Sequence, residues 1–270
     1  MQLDLKAIGE RTNRSADEVS GVIEKVKQTM FPQGKQVSIL EEDGTTRFHL
    51  VTRRGVGLLN TKIGKFYQFD FSVDDVWEKY SVIYYGSLND SFMPVFRDGK
   101  LLLRIDSGCE TGQLFGDCTC ECKQQLLLAM RTIKKKGEGL IVNIPRQDGR
   151  GLGLPSKLAT LLLQDILEVD TVEAANAIAP SGVIDIRTYG GIIGILKYFE
   201  VPTTTRIDLA TNNPHKARIF GTNGYTVDGY TPIVIPPTPL THVHLKAKQN
   251  HLDHVGLISE SVPSKAGVSK

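Results

Sequence analysis

All four cysteines of the 270-residue chain, Cys109, Cys118, Cys120 and Cys122, fall between positions 109 and 122. Thiolate sulfur binds zinc, three protein ligands leave a fourth position for water, and four close the site. Cys109, Cys120 and Cys122 form a C-x10-C-x-C array. In an extended segment every second side chain points the same way, so Cys118 could share a face with Cys120 and Cys122. An open three-cysteine site, a closed four-cysteine site and buried thiols without metal all fit this spacing. The six histidines (His49, His215, His242, His244, His251 and His254) are all remote in sequence. Cysteines so close together close almost no loop, which argues against a disulfide framework and for a local thiolate site in a cytoplasmic protein.

Three further segments carry chemistry. The stretch Arg146-Gln147-Asp148-Gly149-Arg150-Gly151-Leu152-Gly153-Leu154 joins a predicted strand to a predicted helix. Its glycines let backbone approach a ligand, and Arg146 and Arg150 offer fork-shaped donors for phosphate. It lacks the Gly-Lys-Ser/Thr of a P-loop, and alone it also reads as an ordinary glycine-rich turn. Thr211-Asn212-Asn213-Pro214-His215-Lys216 is a second strand-to-helix turn, suited to an anion or to plain capping. Asp185-Ile186-Arg187 sets a carboxylate and a guanidinium on one side of an extended segment, where a surface ion pair would be worth little.

These residues need elements to hold them. Ser15 stands three residues before Glu18, a capping box, and Val19, Ile23, Val26 and Met30 follow at helical spacing. With a short first helix and a hairpin of residues 36–40 and 47–52, residues 1–57 read as a winged-helix-like segment or as a packing or dimerisation appendage. The second helix offers no arginine to read base edges, which favours the appendage. Residues 58–105 are rich in β-branched and aromatic runs. From about residue 123, helices over 124–135, 156–167, 190–199 and 214–221 alternate with strands over 139–145 and 206–210, an α/β (mixed α+β) pattern. Residues 231–240 form a proline-rich strap, and 259–270 a polar tail.

Composition excludes several classes. Lys and Arg total 32 against 30 for Asp and Glu, a net charge of +2, which is no basic face for nucleic acid. No apolar run approaches the roughly 20 residues that span a bilayer, and MQLDLKAIGER has no apolar signal core.

Taken in order, the motifs resemble those of GTP cyclohydrolase II. SGCETGQLFGDCTCEC, RQDGRGLGLPSKL, LQDILEVDTVEA, the Asp-x-Arg of 185–187, LATNNPHK and HLKAKQNHLDH parallel that family's SECLTGD…CDC, RQEGRGIGLxNKL, its later motifs and its YLxTKxxKxGH. The likeness covers about residues 60–256, leaving residues 1–57 as an N-terminal addition to a catalytic domain over 58–258. It implies a zinc enzyme of a GTP cyclohydrolase II-like fold. Such an enzyme opens the guanine imidazole ring, releases pyrophosphate and formate, and feeds riboflavin synthesis. It implies zinc ligands at Cys109, Cys120 and Cys122, with Cys118 a spare thiol. The zinc lowers the pKa of its bound water to about 7. It implies Arg187 as nucleophile towards the nucleotidyl group and Asp185 as its proton acceptor. Substrate contacts fall on Arg104, Gln125, Asp148, Arg150, Thr171, Thr211 and Lys216. Magnesium on the leaving pyrophosphate and a homodimer are further implications.

The departures are equally informative. A family glutamate is Gly108 here, the RQEGR glutamate is Asp148, and a tyrosine four residues past the NKL lysine is Leu161. Leucine can donate neither a hydrogen bond nor a proton. The product is therefore left open between the deformylated and formylated pyrimidine, as is a related nucleotide substrate. From another class, a non-catalytic nucleotide-binding regulator would need neither the Asp/Arg pair nor three zinc thiolates.

Overall fold

A computed structural model describes residues 3–74, 78–97, 99–144, 147–179, 182–183, 185–252 and 256–258. Arg146, part of the HLKAKQNHLDH motif and the 259–270 tail lie outside these residues.

Two helices open the chain, α1 (Leu5–Thr12) and α2 (Ala16–Gln28), the second closed at its start by the reciprocal Ser15/Glu18 capping box. An antiparallel meander follows: β1 (Gln33–Leu40), β2 (Thr46–Asn60), β3 (Lys65–Val73) and β4 (Tyr80–Tyr85). β5 (Ser87–Leu88) and β6 (Pro94–Val95) pair as a separate small ribbon. Then come β7 (Lys100–Asp106), α3 (Glu110–Gln113), α4 (Cys122–Lys136), β8 (Gly139–Asn143), α5 (Leu154–Leu167), α6 (Thr171–Ile178), α7 (Gly190–Tyr198), β9 (Arg206–Leu209), α8 (Arg218–Thr222), β10 (Thr226–Tyr230) and α9 (His242–His251).

One eight-stranded sheet, in the order β1-β2-β3-β4-β8-β7-β9-β10, organises the molecule. It is antiparallel from β1 to β8 and parallel from β8 through β7 and β9 to β10. Alternation along β7 sorts side chains between two cores. Leu101, Leu103 and Ile105 join the core under α7, and Leu102 joins Ala129, Met130 and Ile133 of α4 on the other face. The mixed α/β expectation is met by these helix-covered layers.

The hairpin belongs to this sheet, and the expected boundary at residue 57 falls inside β2. Val37, Ile39 and Val51 are buried in the same core as Ile192 and Ile195 of α7. A Cβ on Gly194 would come within 2.9 Å of Val51 Cγ2. The glycine-rich helix is therefore cut to sit on the hairpin, and a hairpin buried on that face cannot act as a free wing. Only α1 and α2 stand outside the sheet. The proline-rich strap has no regular structure. It buries Ile233, whose backbone exchanges two hydrogen bonds with the Asn212 side chain (2.6 and 3.2 Å).

Candidate active site

The parallel strands end at one edge, and ligands of open α/β sheets bind outside the carboxyl ends of such strands. Asp106 ends β7, Asn143 ends β8 and Leu209 ends β9. One large pocket opens there, roofed by α5, α6 and α9. It is lined by Cys109, Cys120, Cys122, Arg187 and all seven expected substrate contacts, Arg104, Gln125, Asp148, Arg150, Thr171, Thr211 and Lys216. Asp185 does not line it but holds Arg187 from behind.

The sulfurs of Cys109, Cys120 and Cys122 lie within 4.8 Å of one another, and those of Cys109 and Cys120 are 3.8 Å apart. Zinc–sulfur bonds of about 2.3 Å in tetrahedral array place two sulfurs about 3.8 Å apart, so the trio fits a zinc ion. Cys109 precedes α3 and Cys122 begins α4. Cys118 is exposed, its thiol turned to Gly116 O at 3.4 Å, and is no part of the trio. The alternating-face argument fails because Asp117 ties a turn here. Its carboxylate accepts from Thr119 N at 2.9 Å and from Thr111 Oγ1 at 3.2 Å. The Cys109 thiol is held well below its usual pKa by hydrogen bonds from Cys120 and Cys122, with Lys157 Nζ at 2.7 Å adding to them. The same thiolate pushes Cys120 and Cys122 upward. A cation replacing the protons shared among the three thiols would relieve this crowding.

Asp185 grips Arg187 in a bidentate pair, accepting from Nε at 2.9 Å and also from Nη2. Burial alone would raise the Asp185 pKa, but the Arg187 hydrogen bonds and charge outweigh it and hold the carboxyl low. The guanidinium is raised in turn, against its own burial. Beside this pair, Arg150 adopts a left-handed backbone (φ 58°). Its Nη2 donates to Thr171 O at 3.2 Å and Oγ1 at 3.3 Å.

Deeper in the pocket two cations are fully buried. Arg104 Nη1 donates to Ala210 O at 3.1 Å, and Nη2 reaches Gln125 Oε1 at 3.4 Å. Lys216 Nζ donates to Ile105 O at 3.1 Å and stands 5.8 Å above the Tyr189 ring. Burial, then the charges of Arg104 and Arg187, pushes the Lys216 pKa well below its ordinary value. Positive charge packed this deeply is suited to a polyanionic ligand.

The sequence profile of the family described as GTP cyclohydrolase II matches residues 37–232. The chain belongs to the GTP cyclohydrolase II family. It is 32% identical to GTP cyclohydrolase-2 of Picrophilus torridus over 73% of its length and 95% of that protein. It is 32% identical to GTP cyclohydrolase-2 of Streptomyces coelicolor over 82% and 93%. It is 28% identical to riboflavin biosynthesis protein RibBA of Cytophaga hutchinsonii, over 93% of this chain and 66% of that one. The expectation of a GTP cyclohydrolase II-type enzyme is met. The family match starts at residue 37, within β1, and so includes most of the hairpin.

Two departures from the family pattern, Asp148 and Leu161, line the pocket, and Gly108 stands between the lining residues Ser107 and Cys109. A Cβ at Gly108 would come within 3.0 Å of both Asn143 Oδ1 and Ile144 O, so a larger residue cannot simply be restored. Asp106 fills the neighbouring space and accepts from Gln113 Nε2 (2.7 Å) and Asn143 Nδ2 (2.6 Å). Leu161 lines the pocket on α5. Lys157, Gln147 and His244 also line it. Sequence distance hid His244, for α9 begins 120 positions after Cys122. The spacing from the glycine loop could have flagged Lys157.

Proposed function

We propose that this enzyme hydrolyses GTP, opening the guanine imidazole ring with release of pyrophosphate and formate, in the cytoplasm and in riboflavin synthesis. The observation that carries the reading is the convergence, in one pocket, of a three-thiolate trio with an Asp-gripped arginine and buried cations. Zinc held by Cys109, Cys120 and Cys122 would supply a water ionised near neutrality. Arg104, Arg150 and Lys216 bind the polyphosphate, and magnesium would neutralise the leaving pyrophosphate. Gln125, Asp148, Thr171 and Thr211 complete the nucleotide's surroundings. Asp185 orients Arg187 and accepts its proton as the guanidinium attacks the α-phosphorus, since a charged guanidinium is no nucleophile. We further propose a homodimer, supported by exposed Leu158, Leu162 and Ile166 on the outer face of α5.

A second reading follows from Leu161. The wall facing the ring lacks a proton donor there, which favours a product that keeps its formyl group. Purified protein incubated with GTP, zinc and magnesium, with products weighed by mass spectrometry, tests both. GTP is expected to disappear with pyrophosphate release. A product about 28 Da heavier than the deformylated pyrimidine marks the second reading, since CHO in place of H adds one CO, and Leu161→Tyr is then expected to restore formate release. No loss of GTP under any metal condition overturns the cyclohydrolase reading and leaves the nucleotide-binding regulator.

A further inference from the structure

The wall of the pocket built by α9 has no role in the account above. His244 and Lys248, one helical turn apart, both line the cavity, as do Leu161 and Gln164 of α5. His244 is half-buried, and its buried Nδ1 has no hydrogen-bond partner among the described residues. A buried polar atom left so costs about 1–3 kcal/mol, and no partner among the described residues fixes the tautomer of this ring. The groups that bear on the ring are Lys248 of its own helix, Asp170 from the cap of α6, and Glu121 and Asp117 from the cysteine loop. Burial, helped by Lys248, outweighs those three carboxylates and holds the imidazole pKa below the ordinary histidine value. At neutral pH the ring is uncharged and able to accept a proton.

The aspartates in and beside the pocket are engaged. Asp185 is locked on Arg187, Asp106 accepts from Gln113 and Asn143, and Asp148 faces Lys157 at 3.5 Å. Leu161 has no proton to give. Among the described residues that line the pocket, His244 is the only imidazole.

We propose that His244 is the proton carrier of ring opening, a role that rests on GTP being the substrate. Water adds across the C8=N7 bond of guanine, oxygen to C8 and one proton to N7. The His244 imidazole then takes the remaining hydroxyl proton as the C8–O double bond forms and the C8–N9 electron pair departs onto N9. The imidazolium returns that proton to N9. One water is consumed, both its protons end on nitrogen, and the neutral imidazole is regenerated.

The test uses the full-length, zinc-loaded protein with His244→Gln, His244→Ala and, as a control, exposed His251→Gln on the same helix. Three quantities are measured: kcat/KM for GTP, zinc per chain, and affinity for α,β-methylene GTP. Loss of a positioned proton-transfer group costs about 10²-fold or more, so His244→Gln is expected to lose that much in kcat/KM. Zinc content and analogue affinity are expected to stay near wild type, with His251→Gln unchanged. Added imidazole is expected to restore turnover to His244→Ala, which a structural role would not allow. A His244→Gln enzyme within about two-fold of wild type overturns the proposal, since proton-transfer loss is far larger. So does a His244→Ala protein that binds zinc and analogue but gains nothing from imidazole. If His244→Ala does not fold, the Gln variant decides. Wild-type protein that leaves GTP intact overturns the substrate reading instead, and this step with it.

Discussion

At the scale of single residues, the site buries two cations, Arg104 with the Asp106 carboxylate 3.8 Å away and Lys216 donating to Ile105 O. Lys216 is 6% exposed and Arg104 7%, and burial lowers the pKa of both. A lysine whose folded pKa lies below its unfolded one binds fewer protons when folded, so stability rises with pH between the two values and is diminished below them. Lys216→Met is therefore expected to stabilise the ligand-free protein at pH 7, by about 1–4 kcal/mol if it behaves as other buried charges replaced by apolar side chains. The gain should shrink as pH climbs towards 10, with GTP turnover lost; thermal melts from pH 6 to 10 check it. For Asp185 the proton matters more than stability. Asp185→Asn keeps an oxygen near Arg187 but cannot accept its proton, so pyrophosphate release is expected to fall about 10²–10⁴-fold. The thiolate cluster and the Asp-x-Arg were legible in sequence because their members are near neighbours, whereas the choice of three cysteines over four rested on the family resemblance. His244 was not, since only the chain's path through α6 and the strap brings α9 back to the pocket.

At the scale of elements, close approaches decide what the glycines are for. A Cβ on Gly112 would stand 2.6 Å from Cys120 Sγ and 3.1 Å from Cys109 Sγ. The α3 turn is therefore a floor for the thiolates, and Gly112→Ala must push a ligand aside. Metal affinity is expected to fall about 10–100-fold, as when other supports of metal ligands are altered. Zinc per chain after dialysis against a weak chelator measures this, with circular dichroism confirming that the fold persists. Gly194→Ala acts on the other face, against Val51 Cγ2 at 2.9 Å. Overpacking there is expected to cost about 1–3 kcal/mol in urea melts. α2 was legible from its capping box, and β7 from its run of Leu and Ile. The hairpin's place was not, because its alternation looks the same in a free wing as at a sheet edge. α6 and α9 were missed for want of periodicity: α9 buries only Leu245 and Ala247 and carries three histidines.

At the scale of the molecule, α5 has two working faces. Lys157, Thr160, Leu161 and Gln164 face the pocket. Leu158, Leu162 and Ile166, at successive turns, stand 50%, 60% and 64% exposed on the outer face. Leu114 and Phe115, beside the cysteine loop, are more exposed still. Single exposed apolar residues are ordinary, but a stripe along one helix marks an interface. In a two-fold dimer the same patch meets itself, and antiparallel α5 helices would set Leu162 near its own copy at the axis. Leu162→Glu would then place two like charges close together in an apolar seam. The parent protein is expected to run as a dimer in size-exclusion chromatography with light scattering, and the variant as a monomer. The helix that presents the outer stripe also carries Leu161 inward, so freeing α5 should raise KM for GTP more than it alters zinc content. A Leu162→Glu protein that remains dimeric would place the interface elsewhere on the surface.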